Sequence, residues 1–111
     1  MEKLVVIEGV EIGLKASAGT VRAYRDKFGR DLIVDMGKVE QDILGNTTLT
    51  GESTEIAENA VYLMAKEYDS SIPKLEEWLD QFSPYFIYSA IVQAINMWHE
   101  NTKTINKSKK N

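Results

Sequence analysis

The stretch from Tyr85 to His99 constrains this chain more than any other feature. Eleven of its fifteen residues are apolar. Only Ser89, Gln93 and Asn96 interrupt them, on one narrow helical stripe that continues to Glu100. A helix apolar almost all round is either central to a core or covered in part by another chain. In 111 residues, few neighbours are available to cover every side. The stretch is too short and too interrupted to span a membrane, which takes about 18 or more apolar residues.

The rest of the chain supplies neighbours in short pieces. Leu4 and Val6, then Val10, Ile12 and Leu14, fall at period two on either side of Glu8 and Gly9. That pattern predicts a β-hairpin over residues 1–15. A lone hairpin is marginally stable, so it must lie on helices or pair with another sheet. A first helix is expected over 18–28, capped by Ser17, with Val21, Tyr24 and Phe28 on one face and Gly29 as its stop. A second is expected over 31–44, where Leu32, Met36, Val39 and Ile43 repeat at helical spacing. Gly37 inside it costs up to about 1 kcal/mol against alanine, enough to allow a bend.

Residues 45–54 read as a polar, glycine-bearing loop, followed by a third helix over 55–68 with Ile56, Ala60, Leu63, Met64 and Glu67 on one flank. Pro73 opens a fourth, carrying Leu75, Trp78, Leu79 and Phe82. Ser83 and Pro84 open the fifth, expected over 84–101. The expected class is mainly α (α+β): an N-terminal hairpin and about five amphipathic helices in one compact bundle over 1–101. Residues 102–111 are polar and basic, and disorder is expected there.

Charge separates the same two parts. The last nine residues carry Lys103, Lys107, Lys109 and Lys110 and no acid, so residues 1–102 hold all 17 acidic residues against nine basic ones and stand at −8. Such a body argues against a nucleic-acid surface, which must neutralise phosphates. The chain has no cysteine, which excludes disulfides, thiolate metal sites and cysteine nucleophiles. The first apolar run ends at Glu8 after four residues, short of a signal-peptide core of about seven or more. A soluble intracellular protein with no membrane partner is expected.

No catalytic, cofactor or metal site is expected either. Glu76, Glu77 and Asp80, and likewise Asp31 and Asp35, share helical faces that could chelate a hard cation, but they read as solvated faces and lack a calcium-loop pattern. His99 is the single histidine, expected in a last helical turn where the helix dipole favours it. Arg22, Arg25 and Arg30 form, with Lys27, the one basic cluster of the body beside Asp26 and Asp31. They are either paired within the chain or a docking patch for an acidic partner.

Ser17 to Thr20 lead into the run from Arg22 to Leu32, which reads Arg-x-x-Phe-Gly-Arg-Asp-Leu from Arg25. Tyr62 to Lys66 follow with Asp69, then Ile72 and Pro73, then Glu77, Trp78, Leu79, Asp80, Gln81 and Phe82. With these residues the chain resembles, over nearly its whole length, the tail assembly chaperones of long-tailed phages and prophages of Gram-positive bacteria.

The resemblance implies a non-enzymatic assembly factor in the cytoplasm of a bacterial host, absent from the mature virion. It would bind the tape measure protein and keep it soluble while tail tube subunits are recruited. It would self-associate, and a longer frameshifted form would reach the tail tube protein. Lys109, Lys110 and Asn111 permit an adenine-rich slippery run, AAA-AAA-AAY in the coding DNA; the alternative is a plain basic tail. A long helical client calls for helix-in-groove contacts, each weak and summed over many copies. The fifth helix offers Tyr85, Tyr88, Ile91, Ile95, Met97 and Trp98 as contacts, since tyrosine, tryptophan and methionine are enriched at interface cores. The alternative is a self-associating structural or regulatory module of a mobile element without such a client. A third reading is a small enzyme.

Overall fold

The computed structural model describes residues 1–45 and 48–100 in full, and residues 46 and 101–110 in backbone alone. Strands β1 (Glu2–Ile7) and β2 (Val10–Lys15) form an antiparallel hairpin. Helices α1 (Ala18–Phe28), α2 (Leu32–Asn46), α3 (Gly51–Tyr68), α4 (Leu75–Leu79) and α5 (Phe86–Lys110) follow. The expected α+β architecture is therefore what the chain adopts.

The two-residue turn sets the register of the hairpin. Glu8 and Gly9 both have positive φ, 53° and 76°, the geometry whose twist suits adjoining strands. Ile7 then faces Val10, Val5 faces Ile12, and Lys3 faces Leu14. Val5, Ile7, Ile12 and Leu14 are buried, whereas Leu4 and Val6 point outward. The period-two run of Leu4 and Val6 thus belongs to the outer face, opposite Gly13 and Glu11. That face cannot be the core, because it lacks large apolar side chains on β2.

Ser17 and Thr20 form a capping box at the start of α1, and Gly29 ends it in the left-handed conformation at φ 68°. Asp31 caps α2 by accepting from the N–H groups of Ile33 and Val34 at 2.8 and 3.2 Å. Helix α2 continues through exposed Gly37 without a break. Helix α3 starts at Gly51, four residues before its expected start, because Thr50 and Ser53 form a second capping box. The polar loop is correspondingly shorter. Helix α4 is only five residues long.

The most enclosed helix is α3, not α5. It packs on β2, α2, α5 and α1, and buries Ile56, Ala57, Ala60, Val61, Tyr62, Leu63, Met64 and Ala65. Its alanines let neighbouring elements approach closely. Each large apolar side chain buried this way contributes about 1.5–3 kcal/mol. Beyond α3, Lys66 Nζ donates to the carbonyl of Ile72, and the Tyr62 hydroxyl donates to that of Pro73 at 2.7 Å. Both bonds fasten the chain leading to α4. Helix α5 is assigned in backbone to Lys110, past the expected end at 101. The expected disorder of 102–111 falls outside the fully described residues.

Candidate functional site

Helix α5 is two-faced. Phe86, Ile87, Ala90, Ile91, Ala94 and Met97 are buried against the core. Tyr85, Tyr88 and Val92 stand on the opposite side at 78%, 38% and 45% exposure. Their spacing places them on one stripe of the helix or its lead-in turn. The candidate contacts separate accordingly. Tyr85 and Tyr88 are at the surface, Ile95 and Trp98 are partly buried, and Ile91 and Met97 are fully buried. Ile91 and Met97 are core residues in this fold, which corrects their expected place at a contact surface. Val92, not among those candidates, belongs to the exposed stripe.

Two side-chain bridges join α5 to α2 and the chain after it. The Tyr88 hydroxyl lies 3.1 Å from Thr48 Oγ1, and His99 Nε2 lies 2.5 Å from Glu40 Oε1. His99 is therefore a lateral link between helices; it is not in a last helical turn, since α5 runs on beyond it. Between Glu40 and Thr48 in the chain stands Leu44, 75% exposed. Between Tyr88 and His99 stand Val92 and Ile95. The seam between the two bridged elements is thus edged by apolar side chains.

The basic cluster divides. Arg22 and Arg25 are exposed. Arg30 instead grips Asp35 with two bonds, Nε to Oδ2 at 2.7 Å and a terminal nitrogen to Oδ1 at 2.9 Å. The Tyr24 hydroxyl donates to Asp35 Oδ2 at 2.8 Å. Asp35 is buried, so its place on a solvated face is corrected as well. Arg30 holds the Asp35 carboxyl below the usual carboxylate range, and the Tyr24 bond acts in the same direction. Burial and the adjacent carboxylate push the Tyr24 phenol upward. This network joins α1, its C-terminal turn and α2. It leaves Arg22 and Arg25 as the outward part of the patch.

A second surface feature lies at the start of α5. Leu79, Phe82, Pro84, Phe86 and Ile87 line a cleft of about 250 Å³ with Glu58 on its wall. Burial, and to a lesser degree Glu55, raises the Glu58 pKa. Among the described residues, no group of three or more histidine, aspartate or glutamate side chains is placed to hold a metal ion. Nor is any helix there long and apolar enough to cross a membrane. No family model, curated protein or solved structure matches this chain.

The exposed members of this site were only half legible in the sequence. The apolar density of 85–99 marks the helix and the stripe of Ser89, Gln93 and Asn96 marks its polar side, but the apolar faces beside that stripe look alike. Which face turns outward depends on where α3 lies.

Proposed function

We propose that the protein is a non-enzymatic tail assembly chaperone, acting in the host cytoplasm on a phage tape measure protein. Two things support this reading: the sequence resemblance, and the stripe of Tyr85, Tyr88 and Val92 left uncovered on an otherwise core-forming helix. The stripe carries it structurally. Large apolar side chains repeating along a helix suit the apolar face of a second helix, and the bridged seam beside Leu44 widens that surface. The tyrosine hydroxyls would stay hydrated at the rim while their rings are buried. Many copies along one client would add individually weak contacts, and a longer form would bring in the tail tube protein.

Co-expression with the tape measure protein whose gene this reading places directly downstream tests it. The wild-type chain is expected to raise the client's solubility and to co-elute with it. Tyr85→Ala combined with Val92→Asp is expected to abolish both effects while leaving the fold intact. A client no more soluble with the wild-type chain, and no complex on size-exclusion chromatography, would reject the chaperone in favour of a client-free module.

A further inference from the structure

Among the described residues, no hydrogen-bonded segment covers the β1 edge of the hairpin, although α5 packs against this strand. In an antiparallel pair, alternate residues turn their backbone groups toward the partner strand and the rest turn them away. The two residues flanking a two-residue turn, Ile7 and Val10, are a hydrogen-bonded pair. The alternation continues to Met1 and Ala16, which exchange bonds of 2.6 and 2.8 Å. Lys3, Val5 and Ile7 therefore bond to β2, while Glu2, Leu4 and Val6 direct their N–H and C=O groups outward. No hydrogen bond from the described residues reaches those outward groups. The β2 side differs, since it borders residues 68–82 and forms with them a cleft lined by Gly13, Tyr68, Asp69, Ile72 and Gln81, which Leu4 reaches from β1 across the outer face.

Edges of this kind are usually blunted by proline, a bulge or charged side chains. Here β1 has no proline and its register is unbroken. Lys3 shares the inner face with Val5 and Ile7 and is held by Glu100 at 3.0 Å, so Glu2 is the one charge of β1 on the outer face. Leu4 and Val6 stand on that outer face at 53% and 62% exposure.

We infer that this edge pairs with the same edge of a second copy, making a four-stranded sheet in the order β2, β1, β1, β2. The strand is self-complementary about Leu4. With Leu4 opposite Leu4 of the second copy, Glu2 meets Val6 in both directions and all three outward positions find partners. Charge selects the antiparallel arrangement. Glu8 and Glu11 sit at the turn end, while the other end holds the N-terminal ammonium, Lys15 directly opposite Glu2, and Lys3, which pairs with Glu100 at 3.0 Å. A twofold axis sets the acidic end of each hairpin beside the lysine end of the other, whereas parallel pairing would set like charges together. The occupant that fits both the register and the charge is another copy of this chain.

Sedimentation equilibrium of the full chain tests this, together with two substitutions. The wild type is expected to dimerise. Leu4→Lys sets like charges face to face and is expected to weaken association by about tenfold or more. Val10→Lys, exposed but on β2, leaves association unchanged. Because the chain has no cysteine, Leu4→Cys supplies a single thiol. Hydrogen-bonded antiparallel partners have Cα atoms about 5.5 Å apart, within disulfide reach. On mild oxidation Leu4→Cys should cross-link as a dimer, and Val10→Cys should not. If Leu4→Lys proves unfolded by circular dichroism, the cross-link decides alone. A wild-type chain that stays monomeric at its highest soluble concentration, leaving the edge to a strand of another protein, overturns the inference. So does a folded Leu4→Lys that associates as wild type, or a Leu4→Cys that cross-links no faster than Val10→Cys.

Discussion

The ring of Tyr68 lies over Gly13, in the space a side chain there would need. A Cβ added to Gly13 would fall 2.1 Å from Tyr68 Cδ1 and 2.5 Å from Cγ. The nearest atoms include the base of the ring, so a small rotation of its tip cannot relieve the clash. This contact clamps the end of α3 across the outer face of β2. Gly13→Val, a favourable change for an ordinary strand, is expected to destabilise the protein by about 1–3 kcal/mol. Combining it with Tyr68→Ala should cost less than the two single changes added together. Urea unfolding of the four chains completes the cycle, and strict additivity would refute the clamp.

Asp35 is expected to carry much of the coupling between α1 and α2. Asp35→Ala removes bonds to a guanidinium and a buried hydroxyl and should cost about 1.5–3 kcal/mol, against about 1 kcal/mol for Tyr24→Phe. The Asp35 pKa is lower in the folded chain than in the unfolded one, so the unfolded state takes up the proton first. The site's stability is therefore complete above about pH 4, the ordinary range of an aspartate, and declines as pH falls through the folded-state value. Asp35→Asn should flatten this acid limb without abolishing it. Glu8 and Asp69, lowered by bonds from Ser83 and Ser71, act in the same direction. Glu58, raised by burial, acts in the opposite one. A stability profile of Asp35→Asn that parallels the wild type down to low pH would contradict the assignment.

Glu8 has two roles that substitution can separate. Its carboxylate accepts from the Ser83 N–H at 2.9 Å and from the Ser83 hydroxyl, tying the hairpin turn to the lead-in of α5. Its backbone also sits at φ 53°, a region that asparagine tolerates better than alanine or glutamate. Both Glu8→Ala and Glu8→Asn lose the carboxylate, but only Glu8→Asn eases the turn. Thermal melts should place Glu8→Ala below Glu8→Asn. The reverse order would show that the turn conformation carries no cost here.

Trp78 should be the main side chain holding α4 in place, with Leu75 and Leu79 packing beside it. At five residues the helix is too short to persist alone. Trp78 is buried, and its ring lies 5.3–5.6 Å from those of Tyr62, Phe82 and Phe86. Trp78→Ala is expected to cost about 3–5 kcal/mol. Trp78→Leu should cost less and loosen α4 selectively. Amide exchange should then accelerate at residues 75–82 before it does in α3, and uniform acceleration across both helices would count against a local role.

Local chemistry made most elements legible. The hydroxyl of Ser17, the glycine at 29 and the spacing of Leu32, Met36 and Val39 act within a few residues, and each element they mark is present. Helix α3 begins earlier than its apolar spacing predicts, because Thr50 and Ser53 build a cap inside a stretch whose glycines and threonines otherwise favour a loop. The hairpin faces were recoverable in principle. A two-residue turn obliges Ile7 to oppose Val10, and counting back puts Val5, not Leu4 or Val6, opposite Ile12.

What the chain's own order determined was therefore periodic and short-range: where helices and strands form, which ends are capped, and that Tyr85 to His99 must be helical and largely apolar. Only the tertiary structure decided which of several equivalent faces is covered. Helix α3 takes the centre because its alanines admit four neighbours at once, and this turns Ile91 and Met97 inward and leaves Tyr85, Tyr88 and Val92 outside. Asp35 shows the same division in one residue. Its helical position was evident from spacing, but its burial depends on Tyr24 and Arg30 arriving from another helix and its turn. Apolar contacts carry no direction of their own, so which apolar residues of α5 stay outside beside its narrow polar stripe is set by what packs against it.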